Sequence, residues 1–377
     1  MTDTLPVRPI GDGTATEREI SQQPSVWREA GGIVAGRRAE IDAFLSPLLA
    51  RPDLRVVLTG AGTSAFVGEV AAPALSRRLG RRIDAVATTD LVSDPRGSLA
   101  EAVPTLLVSF ARSGNSPESL AATVLADQVL ADVHHLVITC DPAGRLFAAH
   151  DGRDDSLVLL TPERANDQGF AMTSSFTSML LTVLLALLGD DEAAVQSLAA
   201  AAERVLASRD RVQALVERDP GRIVYLGSGS LTGLARESAL KMLEITAGRV
   251  DTYFDSALGF RHGPKAVLDD RTLAVVYVSS DPYTRQYDLD IARELQGAIG
   301  EEAVVVLHPG SSEGGRDWGF EGVESQGDAF LALPYVVFAQ LLGLHTSVRD
   351  GVTPDNPFPG GAVNRVVQGV TIHPLEG

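Results

Sequence analysis

With 377 residues, 45% of them hydrophobic and 21% charged, the chain has the balance of a globular protein and enough apolar material for more than one core. A net charge of −17 argues against general nucleic-acid binding, which needs basic surface to displace counterions, but leaves room for a local basic pocket around a small anion. Cys140 stands alone, which excludes an intrachain disulfide and suits a reducing compartment.

Residues 1–15, rich in Pro, Gly, Thr and Asp, read as a loose arm without a leader pattern. A helical stretch over 16–49 follows, with Ile20, Val26, Ile33 and Ile41 as its apolar positions. The apolar run Arg55-Val-Val-Leu-Thr59 then enters Gly60-Ala-Gly-Thr-Ser64 and another helix, the strand–turn–helix entry of a parallel α/β unit. Further strands are expected over 105–109 and 136–139. The longest apolar stretch, 179–188, is too short for the ~20 residues of a spanning helix and reads as a buried core helix. After a charged helical stretch ending at Asp219-Pro-Gly221, the pattern starts again: Arg222-Ile-Val-Tyr-Leu226 runs into Gly227-Ser-Gly-Ser230.

Gly60 and Gly227 lie 167 residues apart, and the same offset matches 105–109 to 272–276 and 136–139 to 303–306. Three strands with one offset predict an internal duplication: two α/β domains, each a parallel sheet flanked by helices. The expected division is an arm and helix over 1–50, a first domain over 51–205, a second over 206–355 and a tail over 356–377. Ligands of parallel sheets bind beyond the carboxyl ends of the strands, so those loops carry the candidate chemistry.

The loop Ser109-Phe-Ala-Arg-Ser-Gly-Asn-Ser116 leads into Pro117-Glu118 and a helix over 118–130. Arg112, Ser113, Asn115 and Ser116 at a helix N-terminus favour a dianionic phosphate, since a simple N-cap needs only one of these hydroxyls. Ser64, in the first glycine turn, is either a routine cap or a contact to polar sugar groups. The pattern around it is not a dinucleotide fingerprint, because Phe66 falls where a small residue is required. Ser174 and Ser175, in Met172-Thr-Ser-Ser-Phe-Thr177, are caps or the opposite wall of the same pocket. In Ala239-Leu-Lys-Met-Leu-Glu244, Lys241 and Glu244 share one helix face; they are a surface ion pair, or an acid–base group on a helix that its apolar neighbours bury. His262, in Gly259-Phe-Arg-His-Gly-Pro264-Lys265, is a plain loop histidine or a proton shuttle, with Arg261 and Lys265 adding positive charge. The seven histidines are scattered, and no metal-ligand spacing occurs.

Together these motifs resemble the sugar isomerase (SIS) fold. Glu19-Ile-Ser-Gln-Gln-Pro24 with Trp27, Arg112-Ser-Gly-Asn-Ser-Pro-Glu-Ser119, Gly169-Phe-Ala-Met-Thr-Ser-Ser175, Pro282-Tyr-Thr-Arg-Gln-Tyr-Asp-Leu289 and Val363-Asn-Arg-Val-Val-Gln-Gly369 narrow the resemblance to its AgaS-type subfamily, over roughly 16–374. The resemblance implies two tandem SIS domains and a tail over the active site. It implies a phosphate loop of Ser113 and Ser116 with the Arg112 and Asn115 backbone, Ser64 at the sugar hydroxyls, and Ser174 and Ser175 as the second wall. Glu244 becomes the carboxylate that moves a proton between C2 and C1, Lys241 its companion, and His262 the ring-opening histidine, supplied in relatives by the partner of a homodimer.

The related synthase carries a tail lysine where Gln368 stands here, and Arg365 is the nearest basic residue. The glutamine-hydrolysing domain of that synthase is not found in this sequence, which favours ammonia release. The implied reaction converts D-galactosamine 6-phosphate and water to D-tagatose 6-phosphate and ammonia, without metal or redox cofactor, in the cytoplasm, with no membrane or nucleic-acid partner. Its rivals are aldose–ketose isomerisation without deamination, deamination of glucosamine 6-phosphate, and a non-catalytic phosphosugar sensor.

Overall fold

The computed structural model describes residues 14–367 and 369–376. Most of the expected N-terminal arm, and Gln368, lie outside the described residues. Thr14 caps helix α1 (Ala15–Gly36) by accepting the Glu17 amide hydrogen. The single helix expected over 16–49 breaks at Arg37, and α2 (Arg38–Leu49) starts anew. The first α/β half follows: β1 (Arg55–Thr59), α3 (Thr63–Leu79), β2 (Ile83–Ala85), α4 (Thr88–Ser93), α5 (Pro95–Ser98), β3 (Thr105–Ala111), α6 (Pro117–Val129), β4 (Val133–Thr139), α7 (Arg145–His150) and β5 (Ser156–Leu160). Helices α8 (Ser174–Leu188), α9 (Glu192–Ala207) and α10 (Arg209–Val216) lead into the second half. This comprises β6 (Arg222–Gly227), α11 (Ser230–Ile245), β7 (Asp251–Asp255), β8 (Thr272–Tyr277), α12 (Thr284–Ile299), β9 (Val304–Pro309), β10 (Asp317–Phe320) and α13 (Asp328–Arg349).

Each half forms a five-stranded parallel sheet, ordered β2-β1-β3-β4-β5 and β7-β6-β8-β9-β10, so the topology repeats. Every residue of the inner strands β3 and β8 is buried, as sheets covered on both faces require. The 167-residue offset holds in register for the first two strands: Val57 pairs with Leu107, and Val224 with Ala274. It fails for the third. Leu136 pairs with Val108, and Val305 with Val275, which sets those equivalents 169 residues apart. The added residues lie in α12, which has 16 residues to the 13 of α6, and Ala303 belongs to a 3₁₀ turn before β9. The glycine turns do superpose: Gly62 has φ +55° and ψ −127°, Gly229 φ +58° and ψ −124°, a backbone open to glycine alone at little cost.

The expected boundary at 205/206 does not separate two cores. It falls within α9, whose apolar face packs on both α1 and α13, and one continuous apolar cluster joins Leu58, Phe66 and Val70 to Leu234, Tyr277 and Val336. Helix α3 packs directly on α11, so closely that a Cβ at Gly233 would lie 2.9 Å from the backbone of Glu69. Helix α13 exceeds the apolar stretch expected at 179–188. It is long and apolar enough to cross a membrane but is buried along nearly its whole length inside this fold, with Gln340 accepting from Gln23 Nε2 at 2.7 Å. Its apolar run is masked in the sequence by Pro334, Gln340 and Gly343.

Candidate active site

Strand β3 runs to Ala111, so Ser109 is a buried strand residue and the cradle begins at Arg112. The chain turns at Gly114, with φ +63°, and α6 starts behind Ser116. Ser116 Oγ accepts the Ser119 amide hydrogen at 3.2 Å and donates to Ser119 Oγ at 2.6 Å. Ser113 Oγ accepts from the Asn115 amide at 3.3 Å, and Asn115 Oδ1 accepts from the Arg145 amide at 3.1 Å, which fixes the loop to the start of α7. Among the described residues, no protein acceptor takes the amide hydrogens of Ser113, Gly114 or Ser116. These donors converge where the α6 dipole favours an anion.

A cavity of about 110 Å³ opens here, lined by Ser64, Arg112, Ser113, Ser116 and Ser119, with Met172 opposite and Arg365, Val366 and Val367 of the tail across it. Arg112 is almost fully buried, and its guanidinium donates only to carbonyls, those of Phe170 at 3.3 Å and Arg365 at 3.1 Å. Burial, then the nearby Arg365, lowers its pKa from the ordinary arginine value. A buried cation with no ion-pair partner among the described residues calls for an anionic ligand. A larger cleft of about 540 Å³ lies between α12, β9 and the loop before β10. It is lined by side chains of both signs and has no serine cradle, so the smaller cavity is the candidate site.

Ser174 and Ser175 do not form the expected second wall. Both are fully buried: Ser174 Oγ donates to the Glu19 carbonyl at 2.7 Å, and Ser175 Oγ to Asp167 Oδ2 at 2.6 Å. The residue that organises this corner is Asp167. Its carboxylate accepts from the amides of Thr173, Ser174 and Ser175 at 2.7–3.0 Å and so closes the N-terminus of α8. Its carbonyl accepts from the Arg365 guanidinium, which ties the tail down beside the cavity. Asp167 stands seven residues before the helix, outside N-cap spacing, and sequence reasoning passes over it.

Helix α11 presents Glu237, Lys241 and Glu244 as a ladder. Lys241 Nζ lies 2.5 Å from Glu244 Oε2 and 3.6 Å from Glu237 Oε1. The burial expected at Glu244 falls instead on Lys241 and Glu237, whose side chains are wholly enclosed; Glu244 keeps 25% of its side chain exposed, and Leu243 beside it faces outward. Burial disfavours the charge on Lys241, but Glu237 and Glu244 outweigh it and hold the pKa above the ordinary lysine value, so this lysine is a fixed cation. Both Glu237 oxygens lack a partner within hydrogen-bond geometry, although the Thr63 hydroxyl approaches. Burial, partly countered by Lys241, raises its pKa to about 8.

Glu237 therefore carries a proton near neutrality in the folded chain and not in the unfolded one, and its contribution to stability is lost as pH rises from its ordinary 4.5 through about 8. Glu237→Gln is expected to flatten that decline. Melting curves across this pH range should show the variant losing less stability than the native chain; parallel curves would contradict the assignment.

His262 sits on an exposed turn after a 3₁₀ helix, away from the cavity lining. Arg261 and Lys265 do not surround an anion, as both pair with Glu294 of α12. A single chain thus gathers Ser64, Arg112, Ser113, Gly114, Ser116 and Arg365 at the cavity, while Asn115 turns to the Arg145 amide; Lys241 and Glu244 are near enough that Arg112 acts on Lys241 and Glu244 acts on Arg112 electrostatically. It does not bring His262 to them.

The SIS domain family model matches residues 48–189. Over the full length of both chains, the protein is 59% identical to an AgaS protein of Streptomyces coelicolor. The chain belongs to the AgaS family. Another AgaS relative, the D-galactosamine-6-phosphate deaminase of Escherichia coli O157:H7, is 44% identical over 97% of each chain. Among solved structures, the tagatose-6-phosphate ketose/aldose isomerase of E. coli superposes with a TM-score of 0.88 at 41% identity, covering 99% of this chain and 100% of that one. The glucosamine-6-phosphate deaminase of Thermotoga maritima, at 22% identity and a TM-score of 0.70, shares the fold.

Proposed function

We propose that this AgaS-family chain is a deaminating isomerase that converts D-galactosamine 6-phosphate and water to D-tagatose 6-phosphate and ammonia. The observation that carries the reading is the set of unclaimed amides at Ser113, Gly114 and Ser116 beside the unneutralised Arg112, with Glu244 and Lys241 within electrostatic reach. The names of the AgaS relatives supply the substrate.

In this scheme Ser113, Ser116 and the loop amides hold the phosphate, with Asn115 bracing the loop and Arg112 compensating the charge. Binding at this remote group positions the sugar, whose polar groups meet Ser64. Arg365 holds the tail across the cavity. His262, supplied by a second copy in a homodimer, opens the ring to the aldehyde. Glu244 takes the proton from C2 and delivers it to C1, while the fixed cation of Lys241 stabilises the enediol-like charge between the two transfers. The C2 ketimine that results adds water and expels ammonia, leaving the C2 ketone. No step needs a metal or redox cofactor, and a reducing cytoplasm suits the buried thiol of Cys140.

A second reading, isomerisation without deamination, rests on the activity for which the solved E. coli structure is named. A substrate panel separates them. Ammonia should appear with galactosamine 6-phosphate and be negligible with unphosphorylated galactosamine. Interconversion of tagatose 6-phosphate with an aldose phosphate, with no ammonia from either amino-sugar phosphate, would establish the second reading instead. Faster release from glucosamine 6-phosphate would reassign the substrate.

A further inference from the structure

The duplication places a second cradle in the chain, and its state differs from the first. The 167-residue offset holds from β1 and β6 through the starts of α6 and α12, so Ser280 stands where Ser113 does, Ser279 where Arg112 does, and Ser228 where Ala61 does. The second loop also follows an inner strand and opens a long helix.

Here every equivalent donor is taken. Asp328, in the first turn of α13, accepts from the Ser280 amide at 2.8 Å and from the hydroxyls of Ser280 and Ser279 at 3.0 and 2.6 Å. Asp288 of α12 accepts from the Ser279 amide at 2.9 Å and from Ser228 Oγ at 2.5 Å. Asp281 accepts from the amides of Tyr283 and Thr284 at 3.0 Å each, closing the helix N-terminus. At the positions of Asp281 and Asp288 the first half has Gly114 and Ala121, which leave its cradle open.

We propose that the second half carries an anion cradle whose ligands are the chain's own carboxylates, Asp281, Asp288 and Asp328, so that a chain of two similar domains binds one phosphate. The charge argument runs the same way as the geometry. The first cradle has a buried arginine and no carboxylate in its loop. The second has serine at that position, with two carboxylates on the buried Ser279, a field that repels a dianion. The halves have divided the work: the first keeps the open cradle, and the second, with its cradle closed, supplies α11 with Lys241 and Glu244.

The inference rests on the reading of Ser113 and Ser116 as phosphate ligands, and the test keeps the two apart. Inorganic phosphate is titrated into the full chain by calorimetry or equilibrium dialysis. One site per chain is expected, unchanged in Ser280→Ala and weakened at least ~10-fold in the Ser113→Ala, Ser116→Ala double variant. Two sites in the native chain, or one site lost in Ser280→Ala, would overturn the inference. A single site that survives all three changes would sink the assignment of Ser113 and Ser116 and leave the closed second cradle standing. The native stoichiometry decides the main point even if a variant fails to fold.

Discussion

Glu244→Gln is expected to lower kcat by ~10²–10⁴-fold with a much smaller change in KM. Gln keeps the length of the side chain and can still accept a hydrogen bond from Lys241, but it cannot carry a proton from C2 to C1. Three observations single out Glu244. It is the ladder carboxylate that keeps some exposure, its charge is felt by Arg112, and its neighbour Glu237 is sealed, with Lys241 3.6 Å away. Ammonia release under saturating galactosamine 6-phosphate gives kcat, and exchange of the C2 hydrogen into deuterated water reports the proton transfer alone. Turnover near the native value would reject Glu244 as the transferring group. If Glu244→Gln were active and Glu237→Gln inactive, the proton would have to pass through the buried end of the ladder.

The second large effect is on binding. Ser113→Ala with Ser116→Ala should raise KM by ~10²-fold or more, because each hydrogen bond to a phosphate oxygen is charge-assisted and contributes ~1.5–3 kcal/mol. Ser116 also caps α6, so the double variant is expected to lose ~0.5–2 kcal/mol of stability as well. Ser116→Asp separates the roles. Aspartate caps as well as serine but repels a dianion, so this variant should hold its melting temperature while KM rises. An unchanged KM in Ser116→Asp would show that the phosphate sits elsewhere.

Much of this arrangement is legible in the sequence because it depends on local chemistry. The apolar runs at 55–59 and 222–226, the glycines at 62 and 229 and the helix starts behind Ser116 and Gly229 are each fixed by residues within a few positions. The offset between the halves is readable where no residue has been inserted, through the first two strands, and drifts by two once α12 lengthens.

What escapes is set by distant parts of the chain. Ser174 and Ser175 look like ligand hydroxyls, and only the fold reveals that Asp167 and the Glu19 carbonyl have already taken them. Arg112 reads as part of the phosphate loop, but only the fold shows that Phe170 and the tail enclose it without a counter-ion among the described residues. Glu237, between Arg236 and Ser238, looks like a surface position; its isolation follows from the close crossing of α3 and α11 at Gly233. The separation of His262 from the cavity is equally invisible from sequence spacing, and it is what makes a second copy of the chain necessary to the proposed mechanism.

The central claim is that isomerisation and loss of ammonia are one reaction at one site. The most direct measurement follows both products in a single incubation of the chain with galactosamine 6-phosphate. Tagatose 6-phosphate and ammonia should appear together in equal amounts, and both should be lost in parallel in Glu244→Gln. Isomerised sugar without ammonia, or ammonia release that persists undiminished in that variant, would contradict it.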